Sequence, residues 1–136
     1  MRAYLKRITI IVVVTLLAVG IRLSDNGLCT FVRDGKYSVY ENNEIIKSYD
    51  SVPILGSREG NERIDFIGTE RQAYTLLKKM SASVIRQEMV EETIIIYAYS
   101  PFIKKRERIF GDTVNIMLAI KGEKISIGSP LLCGWY

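Results

Sequence analysis

The chain has 136 residues, 48% of them hydrophobic and 25% charged, with 19 Lys and Arg against 15 Asp and Glu, two Cys and no His. That length suits one domain and argues against a multidomain enzyme. With no imidazole, Ser-His and Cys-His nucleophile activation and His-ligated metal chemistry are excluded within this sequence.

Residues 1–28 read as an export signal or membrane anchor with a short linker, and residues 29–136 as a single exported domain. Arg2, Lys6 and Arg7 make a basic start, an apolar or weakly polar run extends from Ile8 to Ile21, and Arg22 closes it. As a helix the run measures about 21 Å, nearer the core of a signal peptide than a span of about 30 Å of hydrocarbon. Ala18 and Gly20 supply small residues for cleavage after Gly20. Leu23 instead extends the run if Arg22 snorkels to the interface, so secretion and anchoring at the extracytoplasmic face of a bacterial membrane both stay open. The run has no polar face, which argues against an amphipathic core helix. Bulky Leu28 argues against lipid attachment at Cys29.

Arg2, Lys6, Arg7 and Arg22 precede Cys29 against only Asp25, which leaves 15 basic and 14 acidic residues in the rest. The basic pI therefore belongs largely to the leader. Nucleic acid is not an expected partner of so nearly neutral a domain. The remaining basic cluster, Lys104, Lys105, Arg106 and Arg108, reads as a solvated loop or as a contact for an anionic surface. Cys29 and Cys133 bracket the domain. In an oxidising compartment they could close a loop of 103 intervening residues, worth roughly 4–5 kcal/mol on the chain-entropy model. The alternative is two separate thiols.

In chain order, residues 30–33 and 36–40 are short alternating pieces around Asp34-Gly35, a hairpin signal. Residues 44–49 follow Glu41, Asn42 and Asn43 as a further strand piece. Residues 50–61, with Pro53, Gly56 and Gly60, read as a loop. Residues 62–67 fit a strand through Ile64, Phe66 and Ile67. Thr69 and Gln72 then form a capping-box pattern ahead of Ala73, Leu76, Leu77 and Met80, which share one helical face. Residues 83–89 and 93–99 are strands joined at Glu91-Glu92. In residues 113–120 the period is two, placing Val114, Ile116, Leu118 and Ile120 on one side and Asn115, Met117 and Ala119 on the other. Lys121, Gly122 and Glu123 turn the chain into residues 124–128, where Ile125 and Ile127 continue the apolar face. The fold class is α+β: one amphipathic helix packed on a mainly antiparallel sheet, after the signal or anchor segment.

Ile95, Tyr97, Tyr99, Met117 and Ala119 raise the question of the second sheet face. Either residues 30–50 or 50–61 cover it, or it is an apolar and aromatic surface for a partner, with self-association through a sheet edge as one form. The carboxylates offer little chemistry. Glu91 and Glu92 are adjacent and point apart on an extended chain, and Asp65 stands alone between apolar neighbours. No glycine cluster forms a phosphate loop, and neither a cofactor nor a metal is implied.

Three segments together resemble the closing strands of the YwmB-type secreted proteins of Gram-positive spore formers. They are Tyr97-Ala98-Tyr99-Ser100-Pro101, Val114-Asn115-Ile116-Met117-Leu118-Ala119-Ile120 and Ile127-Gly128-Ser129-Pro130-Leu131-Leu132-Cys133-Gly134-Trp135-Tyr136. The resemblance covers residues 97–136 and implies an exported α+β protein with a TATA-box-binding-protein-like fold and no established activity. Members of that family are longer, so this chain corresponds to a single unit. A fold of that name does not carry DNA binding with it.

The expected function is therefore non-catalytic: an exported or membrane-tethered domain contacting an envelope protein or a second copy through Tyr97, Tyr99, Asn115 and Met117. The competing readings are a small-ligand binder or enzyme using Asp65, Glu91 or Glu92, and an anionic-surface or nucleic-acid contact through Lys104–Arg108.

Overall fold

The computed structural model describes residues 1–23, 27–57 and 59–134, the side chains of residues 18–23 excepted. The cleavage-site reading at Ala18 and Gly20, the snorkelling of Arg22, Asp25 and the closing Trp135 and Tyr136 fall outside the described residues or side chains. The protein is α+β, with a seven-stranded antiparallel sheet and, among the described residues, two α-helices instead of one. The first, α1, spans Arg2–Leu23 and exposes its apolar side chains from Tyr4 to Leu17. Among the described residues no helix is long and apolar enough to cross a membrane.

The sheet runs in the order β2-β1-β3-β9-β8-β5-β4. Its strands are β1 Lys36–Glu41, β2 Glu44–Tyr49, β3 Asn61–Ile67, β4 Ser83–Val90, β5 Thr93–Tyr99, β8 Ile116–Lys121 and β9 Lys124–Ser129. A separate two-stranded ribbon pairs β6 Glu107–Ile109 with β7 Asp112–Val114. The second helix, α2, spans Glu70–Lys79. Thr69 caps it, accepting from the Gln72 N–H while the Gln72 side chain accepts from the Thr69 N–H, so two of the helix's orphan donors are satisfied. Ala73, Leu77 and Met80 join Ile64, Ile96, Leu118 and Ile127 in the larger core, burying one face of the sheet.

Two local expectations change. Asp34-Gly35 does not make a hairpin: residues 28–30 form a short 3₁₀ turn, burying Leu28, Cys29 and Val32 in the larger core. Gly35 serves a close approach instead, since a Cβ there would sit 2.5 Å from the Asp65 carbonyl oxygen. The hairpin turn is Asn42-Asn43, both at positive φ, the backbone that matches strand twist in a two-residue loop. Likewise residues 113–120 are not one strand. The chain breaks at Asn115, so Val114 packs with Met117 and Ala119 in a second, smaller cluster while Ile116, Leu118 and Ile120 face α2.

That second cluster, completed by Ile95, Tyr97, Ile109 and Leu132, covers part of the opposite sheet face. Its cover is the β6–β7 ribbon and residues 130–133, not residues 30–50 or 50–61. At Gly128 the covering backbone comes so near that a Cβ would stand 2.5 Å from the Leu131 carbonyl oxygen and the Leu132 Cα. Tyr97 packs edge-on against Phe110 of the ribbon turn, with ring centroids 6.2 Å apart.

Candidate functional site

Period two along β3 sends Glu62 and Ile64 to the α2 side, and Arg63 and Asp65 to the other. Glu62 is 3% exposed among apolar neighbours. Its Oε2 accepts from the Tyr37 hydroxyl at 2.7 Å and from the Cys29 thiol at 3.7 Å. The backbone N–H of Leu28 also donates to this carboxylate. The Tyr37 oxygen in turn accepts from the Ser57 N–H at 2.8 Å. Gly27 and Gly56 leave space for the carboxylate, since a Cβ on either would collide with it. One carboxylate thus ties the 3₁₀ turn and β1 to β3, and Tyr37 carries the tie on to the loop after β2.

Burial sets the electrostatics. It pushes the Glu62 carboxyl above its ordinary range, and the Tyr37 hydroxyl, the Lys105 ammonium and the Cys29 and Leu28 donors offset this only in part. Burial first, then the neighbouring carboxylate, pushes the Cys29 thiol up to about 12. The Tyr37 phenol also moves up, chiefly by desolvation. A thiol kept protonated is a poor nucleophile, and a phenol kept protonated is no base. The cluster fastens chain segments together.

On the opposite face Arg63 Nε donates to both oxygens of Asp65 at 3.0 Å, and one guanidinium nitrogen reaches Oδ1 at 2.8 Å. Ser126 Oγ donates to the same carboxylate at 2.5 Å, and another guanidinium nitrogen donates to the Cys133 carbonyl at 2.8 Å. These residues border an open groove of about 860 Å³ lined also by Lys36, Lys121, Glu123 and Lys124. In strand register Lys36, Asp65, Ser126 and Ala119 form one row across its floor.

The expected site residues separate. Asn115 is fully buried; its amide accepts from the Ser100 N–H and donates to the Ser100 and Ile103 carbonyls, which pins the loop after β5. Tyr97 and Met117 are 9% and 8% exposed beneath the ribbon and residues 130–133, and only Tyr99 is half-exposed. Together they make no open contact surface, because strand and ribbon contacts remote in sequence close over them. Asp65 lines the groove, but Glu91 and Glu92 lie in the β4–β5 turn, across β9, β8 and β5 from it.

Nor does the basic cluster act as one face. Lys105 turns inward, its Nζ donating to the Gly60 carbonyl at 2.8 Å, and burial lowers its pKa while Glu62 and Glu59 oppose that shift. Lys104, Arg106 and Arg108 are exposed, and Arg108 bonds the Gly111 carbonyl within the ribbon turn. Cys29 and Cys133 are free thiols, and no bridge joins them because they lie against opposite faces of β3, one at Glu62 and the other at Arg63. Among the described residues no group of three His, Cys, Asp or Glu is placed to hold a metal.

Glu62 was absent from the sequence candidates although its signal was present: it shares the parity of Ile64 and Phe66, so an acid sits at a core position. No family model, no curated protein and no solved structure matches the chain, and nothing among them bears on the resemblance to YwmB-type proteins.

Proposed function

We propose that this chain is an exported or membrane-tethered, non-catalytic domain that binds an extended segment of an envelope protein along β2, akin to the YwmB-type proteins its closing strands resemble. The observation that carries this reading is the exposure of the β2 edge. β2 pairs only with β1, and every residue from Glu44 to Tyr49 is exposed, among them Ile45, Ile46 and Tyr49. The loop that follows adds Ile54 and Leu55, 83% and 86% exposed. An unpaired edge with apolar side chains is a template for strand addition. The apolar helix α1, exposed along residues 4–17 behind a basic start, supports a membrane-directed segment. A photo-crosslinking residue at Ser48 in the full chain, expressed in its host, tests this. A discrete adduct from the extracytoplasmic fraction, abolished by Ile45→Lys with Ile46→Lys, is expected. Absence of an adduct, or one indifferent to those changes, would overturn it.

A second reading rests on the groove: Asp65 and Glu123 flanked by Lys36, Lys121 and Lys124 suit a small polar ligand. A ligand-induced rise in melting temperature that Lys121→Ala with Lys124→Ala removes would favour it over the edge.

A further inference from the structure

We infer that the opposite edge of the sheet, β4, is a self-recognition surface that joins two copies of this chain into one continuous antiparallel sheet. β4 pairs only with β5, and it exposes Ile85, Met89 and Val90 together with the charges of Arg86 and Glu88. Charges on an edge normally discourage pairing. Here their spacing does the reverse for one partner, a second copy.

Consider β4 laid antiparallel to itself about a two-fold axis perpendicular to the sheet, which keeps both α2 layers on one side. Centred on Gln87, this places Arg86 of each copy opposite Glu88 of the other, while Ile85, where the register with β5 shifts, ends the regular stretch. Both charge pairs are then opposite in sign. Sliding the centre to Arg86 sets that residue against itself, and sliding it to Glu88 sets two carboxylates together. Like charges directly opposite are destabilising, so one register is selected and its neighbours are penalised. β2 has no such solution: centred on Ile46 it puts Ile45 against Lys47, and centred on Lys47 it opposes two ammonium groups. The edges are therefore not equivalent: self-pairing of β4 brings opposite charges together, and self-pairing of β2 does not.

The charged side chains are already fixed in place. Arg86 Nε lies 3.7 Å from Glu88 Oε2, its guanidinium stacks 4.1 Å over the Phe110 ring, and Tyr97 donates to Glu88 Oε1 at 3.1 Å. Restraint by the ribbon reduces the rotamer freedom lost on association. From Arg86 to Val90 the strand runs in unbroken register with β5, so the central pairs sit on regular backbone. Pairing would close an alternating ring of four charges over the two-fold axis, with Gln87 on the axis itself. An isologous contact of this kind stops at two copies.

The test uses the full chain in mild detergent. Gln87→Cys puts a thiol on the axis, opposite its own copy, and should form a covalent dimer under mild oxidation. Ser48→Cys on β2 reports background collision in the same micelles and should not. Arg86→Glu in the Gln87→Cys background should slow crosslinking by roughly tenfold through carboxylate repulsion, and adding Glu88→Arg should restore it by reversing both charges. Crosslinking at Gln87→Cys no faster than at Ser48→Cys, or a double exchange that fails to recover while circular dichroism shows a native fold, would overturn the inference.

Discussion

Glu62 and Asp65 lie three residues apart on β3 and are satisfied in opposite ways. Glu62 faces α2, sealed among Tyr37, Cys29 and Leu28 with two glycines leaving it space. Asp65 faces the groove and is answered by a guanidinium and a hydroxyl at the edge of solvent, its side chain 35% exposed. A buried carboxylate must be met by donors from its own protein, and here those donors come from distant segments, so the bonds that satisfy the group also fasten the segments. At the groove, water can share that task, and the same chemistry binds less together. The difference teaches which acid the fold depends on: the one that sequence reasoning passed over.

The sharpest way to break this comparison is to remove each acid in turn. Glu62→Ala leaves a buried phenol, thiol and N–H without their acceptor and should cost about 3 kcal/mol of unfolding free energy in urea titration. A loss below that of Asp65→Ala would reverse the ranking. The two thiols extend the comparison, one on each face. Burial pushes both thiols up, Cys29 to about 12 and Cys133 in the same direction against the opposing Arg63 guanidinium, so buried Cys29 should alkylate at pH 8 at least roughly tenfold more slowly than half-exposed Cys133, as read by mass spectrometry of partially labelled protein. Asp65→Ala should cost only about 1–2 kcal/mol, because solvent reaches the carboxylate and the buried Arg63 guanidinium keeps its bonds to the Cys133 carbonyl and Ser126.

The smallest effect concerns pH. The folded Glu62 carboxyl has a raised pKa, so the folded state keeps this proton over a range where the unfolded chain has released it. Its contribution is full below the unfolded value, falls as pH rises through the folded one, and is level above it. Glu62→Gln keeps a neutral acceptor in place. It should change stability near the acid end by under about 1 kcal/mol and flatten the decline between acid and neutral pH, measured as the urea midpoint against pH. An unaltered slope in that variant would assign the decline to another group.

Much of the framework was legible because its signals are local. Thr69 and Gln72 announced α2, and the alternation of Ile125 with Ile127 announced β9. The errors lie where partners are remote. Asp34-Gly35 has hairpin chemistry, but Leu28, Cys29 and Val32 gain more by burial in the larger core, so the chain turns there as a 3₁₀ helix. Val114 kept its place in an alternating run until Asn115, bonded to the loop after β5, broke the strand and sent the two sides apart. Tyr97 and Met117 fit an open sheet face in sequence, and only the return of residues 130–133 and the ribbon buries them. Glu62 was readable by parity alone, yet its three donors sit 25 to 34 residues upstream, beyond any local pattern.

The central claim is that the carboxylate of Glu62 fastens residues 28–32 onto the sheet directly, and the loop of residues 52–57 through Tyr37, whose hydroxyl accepts from the Ser57 N–H. Hydrogen exchange on the full chain and on Glu62→Ala tests it most directly, by comparing protection in those two segments with protection in β5 and β8. The prediction is that both segments lose protection together while β5 and β8 retain theirs. Unchanged protection in either segment, or a loss spread evenly over all the strands, would contradict it.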